Sequence, residues 1–232
     1  MSAKIHPTAL VAKEAQLGAD VEVGAFAIIG PDCVVGDGCV IAPRATLERN
    51  VILGKGVKVG SGSVLGGDPQ DLKYKGEPTT VGKNCFIMTY VHLAHDCHVG
   101  DHVIISNGSQ FAGHITIEDR CIISGLVAVH QFVKIGGYSF IGGHSRVPKD
   151  VPPYLKAVGN PIKLYGLNTV GLQRNGFQAD VVHELKRAYR LFFRSELNVT
   201  QAKERAEQEL QMFPEVKHFL EFVGASGRGV VM

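Results

Sequence analysis

Histidine and aspartate carry most of the chemistry this sequence can offer. Ten histidines are present, and seven fall between His92 and His144. The densest string is Val91-His92-Leu93-Ala94-His95-Asp96-Cys97-His98. An imidazole is a general base near neutral pH, and a neighbouring carboxylate can orient it. His95 and Asp96 put that pair at adjacent positions. The same residues suit a second chemistry, because three imidazoles drawn together hold zinc with an open fourth position. A third reading makes them polar filler on an exposed surface. The choice depends on what is brought beside this string, and so on the elements that carry it.

Those elements are legible in a six-residue period. Every sixth residue from Ile5 to Leu65 is large and apolar, and so is every sixth from Val81 to Val147. The position four further on is nearly always small, and Cys33, Cys39, Cys85, Cys97 and Cys121 all fall there. They read as buried packing residues, not as metal ligands or redox thiols. Glycine often follows the anchor, as in Val23-Gly24, Val59-Gly60 and Ile135-Gly136, where a corner tolerates unusual backbone angles. A unit this short holds one strand and one corner, and such units stack into a parallel β-helix. The pattern resembles the hexapeptide-repeat, left-handed β-helix proteins, in which three hexads close one triangular coil. Residues 18 apart then stack at about the inter-strand spacing of 4.8 Å. On that stacking Gly113 lies one coil above His95, Gln131 one coil above Gly113, and His114 one coil above Asp96. His95, Asp96, Gly113 and His114 are therefore expected to cluster on the surface. A base, a carboxylate, an approachable backbone N–H and a second imidazole suit acyl transfer to a hydroxyl. Zinc and polar filler remain open at this level.

The period breaks twice. The anchors jump by 16 between Leu65 and Val81, which is not a multiple of six, so residues 66–80 must contain a loop that leaves the coil. Loops on a rigid scaffold commonly carry function, although a tolerated insertion fits as well. After Tyr154 the repeat stops. Helical patterning covers Gln178–Arg194, with Val182, Leu185, Ala188 and Phe192 near one face, and then Thr200–Met212. Pro214 opens a last short helix that Gly224 ends. The expected fold is an all-β left-handed parallel β-helix of hexapeptide repeats over residues 1–152, with a C-terminal α-helical domain over 153–232. The helices would cap the last coil. Lys186, Arg187, Arg190 and Arg194 would face either solvent or an acidic partner.

Composition narrows the function classes. Of the 232 residues 45% are hydrophobic, and the net charge of +2 gives no case for a general nucleic-acid binder. No run of about 18 apolar residues exists, so no stable membrane insertion is expected. The N-terminus lacks the apolar core of a signal peptide, and a cytoplasmic location is expected. An odd number of cysteines without C-x-x-C spacing argues against a disulfide framework.

Longer strings point to a closer relationship. Gly66-Gly67-Asp68-Pro69-Gln70-Asp71-Leu72-Lys73-Tyr74 with Gly76-Glu77-Pro78-Thr79, then His92–Cys97, Ala112-Gly113-His114, Ala128–Phe132, Asp150–Tyr154, and Gly166-Leu167-Asn168 with Gly171-Leu172 and Arg174 resemble, in order, the UDP-N-acetylglucosamine O-acyltransferase family of lipid A biosynthesis. The resemblance implies a homotrimer with active sites between subunits. It implies transfer of a 3-hydroxyacyl chain from acyl carrier protein to the sugar 3-hydroxyl, with no metal and no cofactor. His95 matches the general base, Asp96 the acid that orients it, and the Gly113 amide the oxyanion donor. Asp71 and Lys73 match sugar-nucleotide contacts. His92, His114, His130 and Gln131 match other site positions, and Asn168 and Arg174 match contacts to the nucleotide end. Gly143 matches the position that limits acyl length, where glycine resembles the form taking about fourteen carbons. Acyl carrier protein is acidic, which would suit the basic helical face.

Two departures stand out. Asn175 occupies a position where some members carry a second Arg, and Val170 one where some carry Glu. The family also carries a further coil and outward loop between the Gly-Glu-Pro-Thr string and the Val81-Gly82 hexad, which here follow each other directly. Losing a whole coil preserves the triangular register. Beside the acyltransferase stand two alternatives: a zinc hydratase of the carbonic-anhydrase type, and a scaffold that binds sugar nucleotide or acyl carrier protein without turnover. A related N-acyltransferase fits less well, because it normally carries an extra N-terminal domain and here the repeat starts at Ile5.

Overall fold

The computed structural model describes residues 2–67 and 76–232. The repeat winds into a left-handed parallel β-solenoid with three faces. Its rungs are strands of two to four residues, too short to hold alone and held by the coils on either side. The first face contains Phe86–Ile87, the second His92–Ala94 and the third His98–Val99. Register is 18 residues on every face: Phe86 pairs with Ile104, His92 with Gln110 and His98 with Thr116. The anchors point inward and are buried from Val23 to Val147. Ile5, Val11 and Leu17 are not fully buried, because the first coil has no neighbour beneath it.

The five cysteines are buried at the corners, as their positions predict. Cys39 Sγ donates to Gly54 O at 3.1 Å and Cys121 Sγ to Gly136 O at 3.1 Å. Burial pushes the Cys85 thiol up to about 11 and the Cys121 thiol up to about 12, so neither is a nucleophile at neutral pH. Most corners also hold one residue in the left-handed backbone region, including Tyr90, Asp96, His114, Leu126 and Phe132. That conformation costs a non-glycine residue about 1–2 kcal/mol, which the ladder on both sides must offset.

The segment between Leu65 and Val81 adds ten residues without disturbing the phase. Leu53 pairs with Val81, Val59 with Ile87 and Leu65 with Leu93, each 28 residues apart instead of 18. The coil opens after Leu65, where the ladder shifts and Gly66 takes φ +78°, and closes again at Thr79–Val81.

Past Val147 the structure adds what the period did not predict. Leu155–Gly159 continues the first face in parallel with Phe140–Ile141, and Ile162–Leu167 folds back antiparallel on it. This hairpin, not a helix, covers the open edge of that face. Four helices follow: α1 Thr169–Arg174, α2 Ala179–Phe193, α3 Val199–Glu209 and α4 Pro214–Gly224. The last three lie close to their expected spans. Helix α2 packs on the hairpin, α3 and α4 through Val181, Leu185, Ala188, Tyr189 and Phe192. Val182 is only half-buried, a one-residue rotation from the expected face. Asn198 and Gln201 form a capping box at the start of α3. No helix among the described residues is long and apolar enough to cross a membrane.

Helix α4 is tied to the solenoid through His218. Its Nε2 lies 3.0 Å from Glu118 Oε2, and its Nδ1 lies 2.9 Å from the Tyr154 hydroxyl. The Glu118 carboxylate raises the His218 pKa above the ordinary value, against the effect of burial. A raised folded-state pKa stabilises the fold fully below about pH 6.5, and the contribution is lost as pH rises through the raised value. The melting temperature should therefore fall as the pH rises above about 6.5, and Glu118→Gln should flatten that slope in a thermal melt series. Phe111, the largest fully buried side chain of the solenoid, sits directly above Leu93. Phe111→Ala should cost about 3–5 kcal/mol in denaturant unfolding.

Candidate active site

The corner between the second and third faces holds the site. His92–Ala94 is the strand that enters it, and the chain then turns through His95 and Asp96 into the third-face strand His98–Val99. Asp96 has φ +54°, a conformation Asp tolerates because its short polar side chain bonds locally. That turn brings Asp96 Oδ2 to 2.5 Å from His95 Nδ1. The other carboxylate oxygen accepts the Glu77 backbone N–H at 2.6 Å. With Nδ1 committed to the carboxylate, Nε2 is the ring nitrogen presented for proton transfer.

The 18-residue stack adds the rest. His114 N–H donates to His95 O at 3.1 Å, and Phe132 N–H to Gly113 O at 3.2 Å. His114 Nε2 lies 3.4 Å from the same Asp96 Oδ2. The His95 and His114 rings meet edge to face at 5.0 Å between centroids, and His114 lies against Phe132 at 4.6 Å. His95, Asp96, Gly113 and His114 are thus brought together as the register predicts, with one correction. Asp96 is 5% exposed, not a surface group, because the returning loop segment at Glu77 and both imidazoles close over it. A desolvated carboxylate binds an imidazolium more strongly than an exposed one.

Gly113 is fixed by sterics. A Cβ built on it would run into the His95 ring, so no other residue leaves the imidazole where it stands. Its backbone N–H has no acceptor among the described residues, although the neighbouring Ala112 and His114 N–H groups are both used in the ladder. The ladder skips this corner position in every coil, so the amide can receive a ligand oxygen.

The other expected residues fall in three places. His92 is half-buried with its Nε2 beneath Gly67, and burial lowers its pKa, so it is neutral at pH 7. His130 and Gln131 lie above Ala112 and Gly113 on the same corner and are exposed; His130 Nδ1 is 3.1 Å from Arg228. Gly143 sits on a different corner, between the first and second faces, beside Gly125. Asn168 and Arg174 line a cavity of about 330 Å³ against Ile122 and Phe140 of the first face, opposite the His95 corner. Asp71 and Lys73 lie outside the described residues. Glu77 and Phe132 were present in the quoted strings without a role. Only the fold shows that Glu77 covers Asp96 and that Phe132 backs His114.

For zinc, His95, Asp96 and His114 do place one ligand atom each within 4.8 Å of one another. Both imidazoles turn a nitrogen to one carboxylate oxygen, which is the geometry of hydrogen-bonded proton relays. The set contains two histidines, not the three expected of a hydratase site.

A His–Asp pair beside a backbone amide on a hexapeptide solenoid suits acyl transfer. Comparisons with known proteins give the family of the chain. Residues 150–231 match the family model described as UDP-N-acetylglucosamine O-acyltransferase domain 2. Residues 14–49, 32–67 and 78–113 match the bacterial transferase hexapeptide model. The chain is 38% identical over 198 residues to the acyl-[acyl-carrier-protein]–UDP-N-acetylglucosamine O-acyltransferase of Burkholderia mallei, a match covering 72% of this chain and 76% of that one. It is similar in structure to LpxA, a UDP-N-acetylglucosamine acyltransferase from Bacteroides fragilis (TM-score 0.85, 34% identity, 98% of this chain and 100% of that one). It is likewise similar to the UDP-N-acetylglucosamine acyltransferase of Campylobacter jejuni (TM-score 0.85, 33% identity, 99% of each chain). The chain belongs to the acyl-[acyl-carrier-protein]–UDP-N-acetylglucosamine O-acyltransferase family. Within the Burkholderia match, 198 aligned positions take in only 72% of these 232 residues, so that relative carries an internal stretch this chain lacks.

Gly113→Ala should push the His95 ring off Asp96 while leaving the coil folded. A crystal structure or imidazole NMR of the variant should show the His95–Asp96 hydrogen bond lost, with a melting temperature within a few degrees of wild type.

Proposed function

We propose that this protein transfers a 3-hydroxyacyl chain from acyl carrier protein to the 3-hydroxyl of UDP-N-acetylglucosamine, the first step of lipid A biosynthesis. The observation that carries the reading is the His95–Asp96 pair at 2.5 Å beside the Gly113 amide. In this reading Asp96 holds Nδ1 and steadies the imidazolium as it forms. His95 Nε2 removes the hydroxyl proton, and the oxygen attacks the thioester carbonyl. The Gly113 N–H meets the developing oxyanion. Collapse expels the carrier thiolate, which takes the proton back from His95. His114 shares the Asp96 carboxylate and lines the same corner. His92, His130 and Gln131 are further substrate-binding positions, Asp71 and Lys73 are sugar-nucleotide contacts, and Asn168 and Arg174 hold the nucleotide end. No cofactor takes part.

Placement of the residues supports a homotrimer. Within one chain the His95 corner lies opposite the face that bears Asn168 and Arg174, with Gly143 on a third line. One substrate reaches all of them only where two copies meet. We also assign the protein to the cytoplasm, where both substrates are made. Space at Gly143 supports a long acyl chain, since a Cβ there would meet Gly125 O at 3.3 Å and nothing nearer.

The test is mass spectrometry of UDP-N-acetylglucosamine incubated with 3-hydroxymyristoyl acyl carrier protein, with native mass measured on the same sample. O-acylated sugar nucleotide from a trimer is expected. His95→Ala should lower turnover by about 10²–10⁴-fold without loss of melting temperature. Near-normal turnover by that variant refutes the assignment of the base. Gly143→Met should shift preference to shorter acyl donors, and an unchanged donor profile removes Gly143 from the groove.

A further inference from the structure

The cavity against the first face contains more positive charge than the motif residues provide. Arg174 and Lys156 line it, and Asn175 forms its rim. Asn175 Oδ1 accepts from Arg120 Nη1 at 2.9 Å across 55 residues of sequence, so a guanidinium from the solenoid corner is held at this rim. Asn175 is itself fixed, since its Nδ2 donates to Gly171 O at 2.8 Å. Among the described residues none of Arg120, Lys156 and Arg174 pairs with a carboxylate. Lys156 Nζ instead lies over the Phe140 ring, 5.9 Å from its centroid. Two cations without counter-ions that line a cavity of about 330 Å³, and a third bonded to Asn175 at its rim, make a site for a multiply charged anion. The neighbouring Ile122 and Phe140 side chains suit a flat apolar group attached to it.

We propose that Arg120 is a substrate-binding residue of this chain that grips the diphosphate of the sugar nucleotide, and that Asn175 is the positioning residue that holds it there. A guanidinium presents a planar fork that matches phosphate oxygens, and the neutral Asn175 carbonyl orients the fork without cancelling its charge. A carboxylate at position 175 would orient Arg120 equally well and would destroy the site. The proposal rests on the sugar-nucleotide reading of the function, and it deepens that reading at one subsite.

The test compares wild type, Arg120→Ala, Asn175→Ala and the double variant Arg120→Ala/Asn175→Arg, each as the full chain. The KM for UDP-N-acetylglucosamine should rise about 10- to 100-fold in Arg120→Ala, the size expected of hydrogen bonds to a charged group, with kcat within about twofold. Asn175→Ala should give a smaller rise. The double variant returns a guanidinium to the same rim and should recover most of the loss. Calorimetry with UDP alone, without acyl donor, should show the same order of affinities. Equal KM and equal UDP binding in wild type and Arg120→Ala overturn the role of Arg120, as does a wild type that binds no UDP. A merely structural Arg120–Asn175 bond would lower the melting temperature in both single variants and leave KM untouched. Acylation of UDP-N-acetylglucosamine by wild type is read separately, so loss of this inference leaves the assigned reaction standing.

Discussion

Everything in this molecule depends on the parallel hydrogen-bond ladder that fixes an 18-residue coil. Each strand is only two to four residues long, so no rung is stable without the rungs beside it. The inward aliphatic column supplies the driving force, and the ladder supplies the register. Because the period is fixed, side chains distant in sequence stack at a set spacing. His95 and Asp96 are therefore delivered to Gly113 and His114 by the same bonds that hold the fold, such as His114 N–H to His95 O. Scaffold and site share one set of interactions, which is why the pair needs no separate framework.

The corners show how far that constraint reaches. Asp96, His114 and Phe132 lie one above another, each with positive φ. A corner residue in this conformation turns its side chain away from the core and along the stack. Three consecutive coils thus present a carboxylate, an imidazole and an aromatic ring in one line. The local backbone cost is repeated along the solenoid at residues with no chemistry, such as Leu126 and Tyr138, so it belongs to the fold and not to catalysis.

How much was legible follows from the range of each interaction. The hexad is a local pattern with one strong physical cause, so the solenoid and the buried cysteines could be read from residue types alone. The stacking of His95, Asp96, Gly113 and His114 followed once the coil length was adopted. Contacts that depend on the chain leaving the repeat were not legible. Burial of Asp96 comes from Glu77 as the loop returns, and no periodicity specifies where a loop returns. The hairpin after Tyr154 lacks a pattern because one side packs on the last coil and the other on α2. Arg120 belongs to no motif, and only the fold places Asn175 of α1's C-terminal end beside it.

The loop at residues 66–80 shows what such a fold permits. An insertion or deletion is tolerated only if all three faces resume in phase. Leu53, Val59 and Leu65 all find partners 28 residues later, so ten extra residues are accommodated where the chain passes from the second face at Val64–Gly67 to the third at Thr79–Val81. Whole coils can likewise be lost without a fault in the ladder, which fits the internal stretch that the Burkholderia relative has and this chain lacks. The stacking of His95 and Asp96 on Gly113 and His114 is set by the coils directly above, while the Asp96 carboxylate also takes the Glu77 N–H of the returning segment. The cavity on the first face is set differently, since it joins that face to α1 through single side-chain contacts such as Arg120 to Asn175. Variation in this architecture should therefore collect at the cavity, while the stacking of His95 on Gly113 stays fixed by the ladder itself and Glu77 stays tied to Asp96.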